Sequence, residues 1–235
     1  MFDFLSAASI LNSLCHPISK YIYMPNFDQT FKEFAQSLST RLTSGIHTTE
    51  DAIRYTFFLA LITRSAMQPH EIILDYPHPN IKGAEIDTYI PSFLKCAIAI
   101  EFKYDRNIPS KSSVPRPQNA GELFKDMCRL SEINTSSNTQ RILVYCTDNI
   151  MATYFANPKN NHAKFFGLRK NERIKVDAGY LRDKPDTFSL SMGCIPAFEL
   201  ECLWTESLPS QHELRIYEVN PIRDDKESIG EGQNK

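Results

Sequence analysis

Three residues of this chain have the types and spacing to do chemistry together: Asp87, Glu101 and Lys103. Glu101 and Lys103 sit two apart in "CAIAIEFKYD", a run whose apolar half reads as a buried strand. Residues two apart on a strand share a face, so the acid and the base point the same way while Ile100 and Phe102 point into a core. Asp87 lies fourteen residues before Glu101, in "AEIDTYI", which alternates as a strand does. That separation leaves room for one strand to end, a turn at "PSF" and a return, so two antiparallel neighbours bring Asp87 beside Glu101. Two carboxylates held together repel each other and call for a cation. Hard oxygen ligands suit magnesium, with manganese as an alternative. An ammonium beside such an ion orients an attacking hydroxide or stabilises a pentacovalent phosphate. The expected chemistry is phosphodiester hydrolysis.

The elements that must position these residues can be read outward from them. "TTEDAIRYTFFLALITRSAM" predicts a helix with Thr48 as N-cap and Asp51 three residues on, and with Ile53, Phe57 and Leu61 facing inward. Glu50 lies at the top of that stripe. An earlier helix over "FDQTFKEFAQSLSTRL" turns Phe27, Phe31, Phe34 and Leu38 inward. "EIILDYP", from Glu71 to Pro77, predicts a short strand ended by proline, and "HPNIKG" a turn. "KCAIAIEFKY" is apolar without alternation, as a strand covered on both faces should be. The proline- and serine-rich "IPSKSSVPRP" predicts a loop. "QNAGELFKDMCRLSEI" is an amphipathic helix with Leu123, Met127 and Leu130 inward, and "QRILVYCTD" another buried strand. After Asp148 the pattern weakens. "DNIMATYFA" has helical character, while "SMGCIPAFELECLW" and "HELRIYEVNP" look like strands.

Asp87 with "EFK" at 101–103, in the order helix, strand, strand, strand, helix, strand, resembles the PD-(D/E)xK nuclease superfamily, which includes many type II restriction endonucleases. The likeness covers roughly residues 48–148. It implies a restriction-endonuclease-like α/β core, a mixed β-sheet flanked by helices, here with a C-terminal extension. It also implies that Asp87 and Glu101 hold the metal, that Lys103 positions or activates water, and that Glu50 supports the metal from the preceding helix. Two departures stand out: Ile86 replaces the family's proline before the aspartate, and Gln118 is followed four places on by Glu122 instead of tyrosine, unlike the exonuclease-like branch. Gln118 and Lys125 remain weaker candidates for site support.

The implied function is a magnesium-dependent endonuclease acting on double-stranded DNA, in the manner of a type II restriction endonuclease and homodimeric if its target is palindromic. The alternatives are a defence or repair nuclease of the same fold, or a nucleic-acid-binding module that has lost the chemistry. The bland reading of Glu101 and Lys103 is a salt bridge at a sheet edge, and an acid in a first helical turn, such as Glu50, is favoured by the helix dipole alone. Asp75 is a further acid at the end of its strand; Glu85 reads as a solvated strand residue, and His47 and His78 as isolated histidines. Lys164, Arg169, Lys170, Arg173 and Lys175 either track phosphates or form a solvated basic face interrupted by Glu172 and Asp177. Base reading would fall to the loop at 105–118 and to the region after 148.

Composition sets the frame. At 235 residues, 42% hydrophobic and 23% charged, the chain has the profile of a soluble globular protein with a sizeable core. We expect one nuclease domain over 1–222 and a polar, disordered tail over 223–235. A net charge of −2 does not announce a nucleic-acid partner. The opening "MFDFLSAASILNSLC" lacks a basic n-region, and no apolar run reaches membrane-spanning length, so a cytoplasmic protein is expected. Six cysteines without a Cys-x-x-Cys pair argue against structural zinc and for reduced, buried thiols at Cys96, Cys128 and Cys146.

Overall fold

The computed structural model describes residues 27–65, 67–106, 115–135, 138–195 and 197–222. The opening segment, most of the serine- and proline-rich loop and the polar tail, on all of which the sequence carries expectations, lie outside the described residues.

Seven strands form one mixed sheet flanked by helices. In chain order they are β1 (Ile73–Pro77), β2 (Glu85–Phe93), β3 (Cys96–Asp105), β4 (Thr139–Thr147), β5 (Arg173–Val176), β6 (Phe198–Leu208) and β7 (His212–Pro221). Their spatial order is β1-β2-β3-β4-β7-β6-β5. Only β3 and β4 run parallel; every other neighbouring pair is antiparallel. A parallel pair needs a crossover, and helix α3 (Arg116–Ser131) supplies it. The region after Asp148 therefore continues the sheet across the β4 edge with β7, β6 and β5.

The period-two rule sorts the central strands onto two cores. Ile98, Ile100 and Phe102 of β3 join Ile142, Val144 and Cys146 of β4 beneath α1 (Asp28–Thr43) and α2 (Glu50–Ser65). The inward stripes expected on those helices are buried: Phe27, Phe31, Phe34 and Leu38, then Ile53, Phe57 and Leu61. Phe57 and Phe58 meet Phe102 edge-on, at 5.4 and 6.2 Å between ring centroids. On the other face Ala97, Ala99, Leu143 and Tyr145 pack beneath α3, whose Leu123, Met127 and Leu130 are fully buried. This second layer is completed by α4 (Asn149–Ala156), α5 (Ala163–Phe166), α6 (Ala178–Leu181) and α7 (Asp186–Met192). Gly121 lets α3 and α7 approach, since a Cβ there would stand 2.7 Å from Ser191 Cβ.

Several local expectations are corrected. Helix α2 is capped by Thr49, whose hydroxyl accepts from Ala52 N–H at 3.1 Å, while Thr48 turns its hydroxyl to the Ile46 carbonyl. The first strand begins at Ile73, because Pro69–Glu71 forms a single 3-10 turn. "PSF" belongs to β2; the reversal is made by Leu94 and Lys95, both at positive φ, between the paired Phe93 and Cys96. Ser191 and Met192 end α7 and are not strand. Cys128 is disulfide-bonded to Cys194, whereas Cys96, Cys146 and Cys202 are free and buried. Among the described residues, no helix is long and apolar enough to cross a membrane.

Candidate active site

The site begins where β2 leaves β3. The last paired residues in this direction are Thr88 and Ile100. Beyond them, the amides of Phe102 and Tyr104 face the departing strand with no ladder carbonyl to receive them. Buried amides must find acceptors, and two side chains provide them. Asp87 Oδ2 accepts from Phe102 N–H at 2.8 Å, and Glu50 Oε2 accepts from Tyr104 N–H at 2.8 Å. The aspartate from β2 and the glutamate from the start of α2 thus stand in for the missing strand.

Asp87 and Glu101 are on adjacent strands and meet where β2 leaves β3: Ile86 packs on the α3 side and Asp87 pairs with Arg54 of α2, while Glu101 pairs with Arg129 of α3. Their carboxyl groups lie within hydrogen-bonding reach of each other. Glu101 is 3% exposed. Burial above all, then the Asp87 charge, pushes its carboxyl well above the usual carboxylate range, and the nearby Arg129 offsets only part of this. Glu50 is also raised by burial, against the opposing pull of the Tyr104 amide and Lys103.

Lys103 shares the Glu101 face and reaches toward α3, with Nζ 3.8 Å from Asp126 Oδ2. Burial alone would lower its pKa. Asp126, Asp105, Glu50 and Glu122 outweigh burial and hold it above its ordinary value. The surrounding carboxylates thus favour the charged form of the side chain.

Arg54, Asp126 and Arg129, which sequence reasoning missed, complete the cluster together with Asp75, which it named as a further acid. Arg54, one helical turn after Glu50, donates to Asp87 Oδ1 at 2.8 Å and to Asp75 Oδ1 at 3.1 Å. Asp75 stands across from Asp87, between the paired Leu74–Thr88 and Tyr76–Ile86, with φ at 49°. Arg129 donates to Glu101 Oε1 at 3.2 Å and pairs with Asp126 Oδ1 at 3.0 Å. Burial raises Asp126, with Lys103 and Arg129 opposing. The available signal was spacing: Arg54 is four residues from Glu50, and Asp126 and Arg129 are an i,i+3 pair flanking the apolar stripe of α3.

Other candidates lie elsewhere or serve local structure. Gln118 donates to Glu122 Oε1 at 3.2 Å, Lys125 is exposed and Glu85 is exposed. His78 is buried, its Nδ1 accepting from the amides of Asn80 and Ile81 and its Nε2 lying 2.9 Å from the Arg129 carbonyl. His47 is exposed beside Arg106. In the basic stretch Lys170 pairs with Asp28, Arg173 with Glu199 and Glu201, and Lys175 with Asp177. These residues belong to β5 and its approach, at the opposite edge of the sheet from β1.

The donor set can be tested against a divalent cation. Among the described residues, no three His, Cys, Asp or Glu side chains gather as a metal-holding group. The adjacent pair Asp87 and Glu101 nevertheless has the chemistry for one hard cation. Acids around it (Glu50, Asp75, Asp105, Glu122 and Asp126) outnumber the cations Arg54, Lys103 and Arg129, and Glu101 is destabilised as an anion. Added positive charge relieves that destabilisation. No family model, no curated protein and no solved structure matches the chain.

Proposed function

We propose that this protein is a metal-dependent nuclease with a restriction-endonuclease-like core, hydrolysing phosphodiester bonds of double-stranded DNA. The observation that carries this reading is the meeting of the Asp87 and Glu101 carboxyl groups, with Lys103 two residues on, at the point where β2 parts from β3. A magnesium or manganese ion bound by that pair would supply Lewis acidity and neutralise charge at the phosphate. Asp87 and Glu101 hold the positive charge at the β3 end. Lys103 presents an ammonium to the phosphoryl oxygens as their negative charge grows. Glu50 keeps the strand end in register through Tyr104 N–H and adds negative potential beside the pair. The task we favour is that of a type II restriction endonuclease, acting as a homodimer on a palindromic site.

The test is incubation of supercoiled plasmid with magnesium. Wild-type protein nicks and linearises it, and Glu101→Gln does not. Discrete fragments support restriction; a smear supports a defence or repair nuclease instead. Intact plasmid under every divalent cation and sequence tried rejects the reading.

A second reading has its own observation. Arg54 and Arg129 already pair with both carboxylates, as expected of a nucleic-acid-binding module that has replaced the ion with internal charge. Calcium binding that disappears in Asp87→Asn excludes that module.

A further inference from the structure

The two arginines of the site are held by carboxylates through their terminal nitrogens. Arg54 uses Nη1 on Asp75 and Nη2 on Asp87, whereas Arg129 reaches both Glu101 and Asp126 through Nη2, and the Nε–H groups of both, like that of Arg215, are buried without a hydrogen-bond partner. A guanidinium offers five donors, and leaving a buried one unmade is costly. Arg129 is the less committed of the two. Its link to Asp126 lies within α3 and survives any change at β3, while its 3.2 Å contact with Glu101 is the longer of its two. Its side chain is 27% exposed, against 4% for Glu101. Arg129 thus stands between Glu101 and solvent, as a cation that can turn without leaving its anchor.

We propose that Arg129 is a displaceable counter-ion: it neutralises Glu101 in the ion-free protein, yields that carboxylate to a divalent cation, and then turns its freed donors to a DNA phosphate while Asp126 keeps hold of it. The inference rests on the nuclease reading of the Asp87–Glu101 pair. Exchange of partners, without loss of Asp126, couples loading of the site to the appearance of a phosphate-binding group. A planar fork suits this better than an ammonium, because it can keep one anion while addressing another. Asp126 is in this sense a positioning residue for Arg129 and Lys103.

Competition for one carboxylate predicts a direction that structural damage would not produce. Calcium binding is measured by calorimetry without DNA. Arg129→Gln binds calcium on the order of 10-fold tighter than wild type, because a nearby positive charge has been removed. Arg129→Lys, which keeps the charge but lacks the planar fork and the reach of the guanidinium, tightens binding by about 2- to 3-fold. If Arg129→Gln fails to fold, the lysine variant carries the test. Equal or weaker calcium binding in the folded variants overturns the inference and leaves the nuclease reading standing. Absence of calcium binding in wild type and variants alike overturns both. Wild-type binding that is lost in Asp87→Asn and tightened in Arg129→Gln supports both.

Discussion

The carboxylates at the end of β3 and the imidazole of His162 both lie in the layer beneath α3, and burial acts on them with opposite sign. Asp105 is 7% exposed, and burial raises its carboxyl to about 6 despite the Tyr145 hydroxyl donating to it at 2.9 Å. His162 is fully buried inside a ring of Phe124, Tyr154, Phe155, Tyr180 and Phe188, and burial lowers it to about 3. The groups around them differ as well. Asp105 has Lys103, Glu50 and Glu122 as electrostatic neighbours; His162 has the Tyr180 hydroxyl at 3.2 Å, the Lys184 ammonium that lies over the Tyr180 ring, and an Nε2 without a partner. A single ionisable group among aromatic rings is kept neutral and serves packing. Several that share charge at a strand end remain open to exchange with a ligand, and that is where chemistry is expected.

The largest expected effect separates the clusters by function. Under the nuclease reading, Lys103→Ala lowers plasmid cleavage by about 10³-fold, since a transition-state contact is lost, while gel shifts in calcium show DNA binding nearly unchanged. Wild-type cleavage by that variant would make "EFK" no more than a strand end. His162→Leu should leave cleavage intact, and an equal loss there would erase the contrast.

The next effects are on stability and run in opposite pH windows. His162 has a folded pKa below its ordinary 6.5, so its contribution is present above that value and is lost as pH falls toward about 3. At pH 4 the loss is about 3 kcal/mol. His162→Leu should remove most of that acid sensitivity in thermal melts, whereas an unchanged acid limb would place the sensitivity elsewhere. Asp105 has a folded pKa above its ordinary 3.8, so its contribution is present at low pH and is lost as pH rises through about 6. Asp105→Asn, which can still accept from Tyr145, should be more stable than wild type by about 2 kcal/mol at pH 8 and about equal at pH 4. The smallest effect is at Glu50. Glu50→Gln preserves an acceptor for Tyr104 N–H but removes charge, so cleavage should fall by about 10-fold with an unchanged melting temperature. Full activity would leave Glu50 as a helix-terminus residue.

What the sequence reveals is uneven, for physical reasons. The buried strands and the inward stripes of α1, α2 and α3 follow from periodicity, which burial enforces directly. The adjacency of Asp87 and Glu101 follows from the antiparallel pairing of β2 and β3, while the break in alternation between Ile86 and Tyr89, which pack on the same side, does not. The turn between those strands escaped notice because Leu94 and Lys95 lack the Asn-Gly chemistry that usually marks two positive φ angles. Arg54, Asp126 and Arg129 escaped because charges flanking an apolar stripe look the same whether they meet solvent or an acid on a neighbouring element. The Cys128–Cys194 pair spans 66 residues and leaves no local trace. His162 gave no signal because its cage is assembled from α3, α4, α6 and α7.

The parting of β2 from β3 makes two backbone protons into reporters. The amides of Phe102 and Tyr104 are protected by side-chain carboxylates, which can be protonated, neutralised or recruited by a ligand, whereas their neighbours toward Ile98 are protected by a strand. Their hydrogen-exchange rates should therefore follow the state of Asp87 and Glu50 while the rest of β3 stays slow. A change of occupancy at the site would then be readable from two peptide groups, with no substrate present and no residue altered.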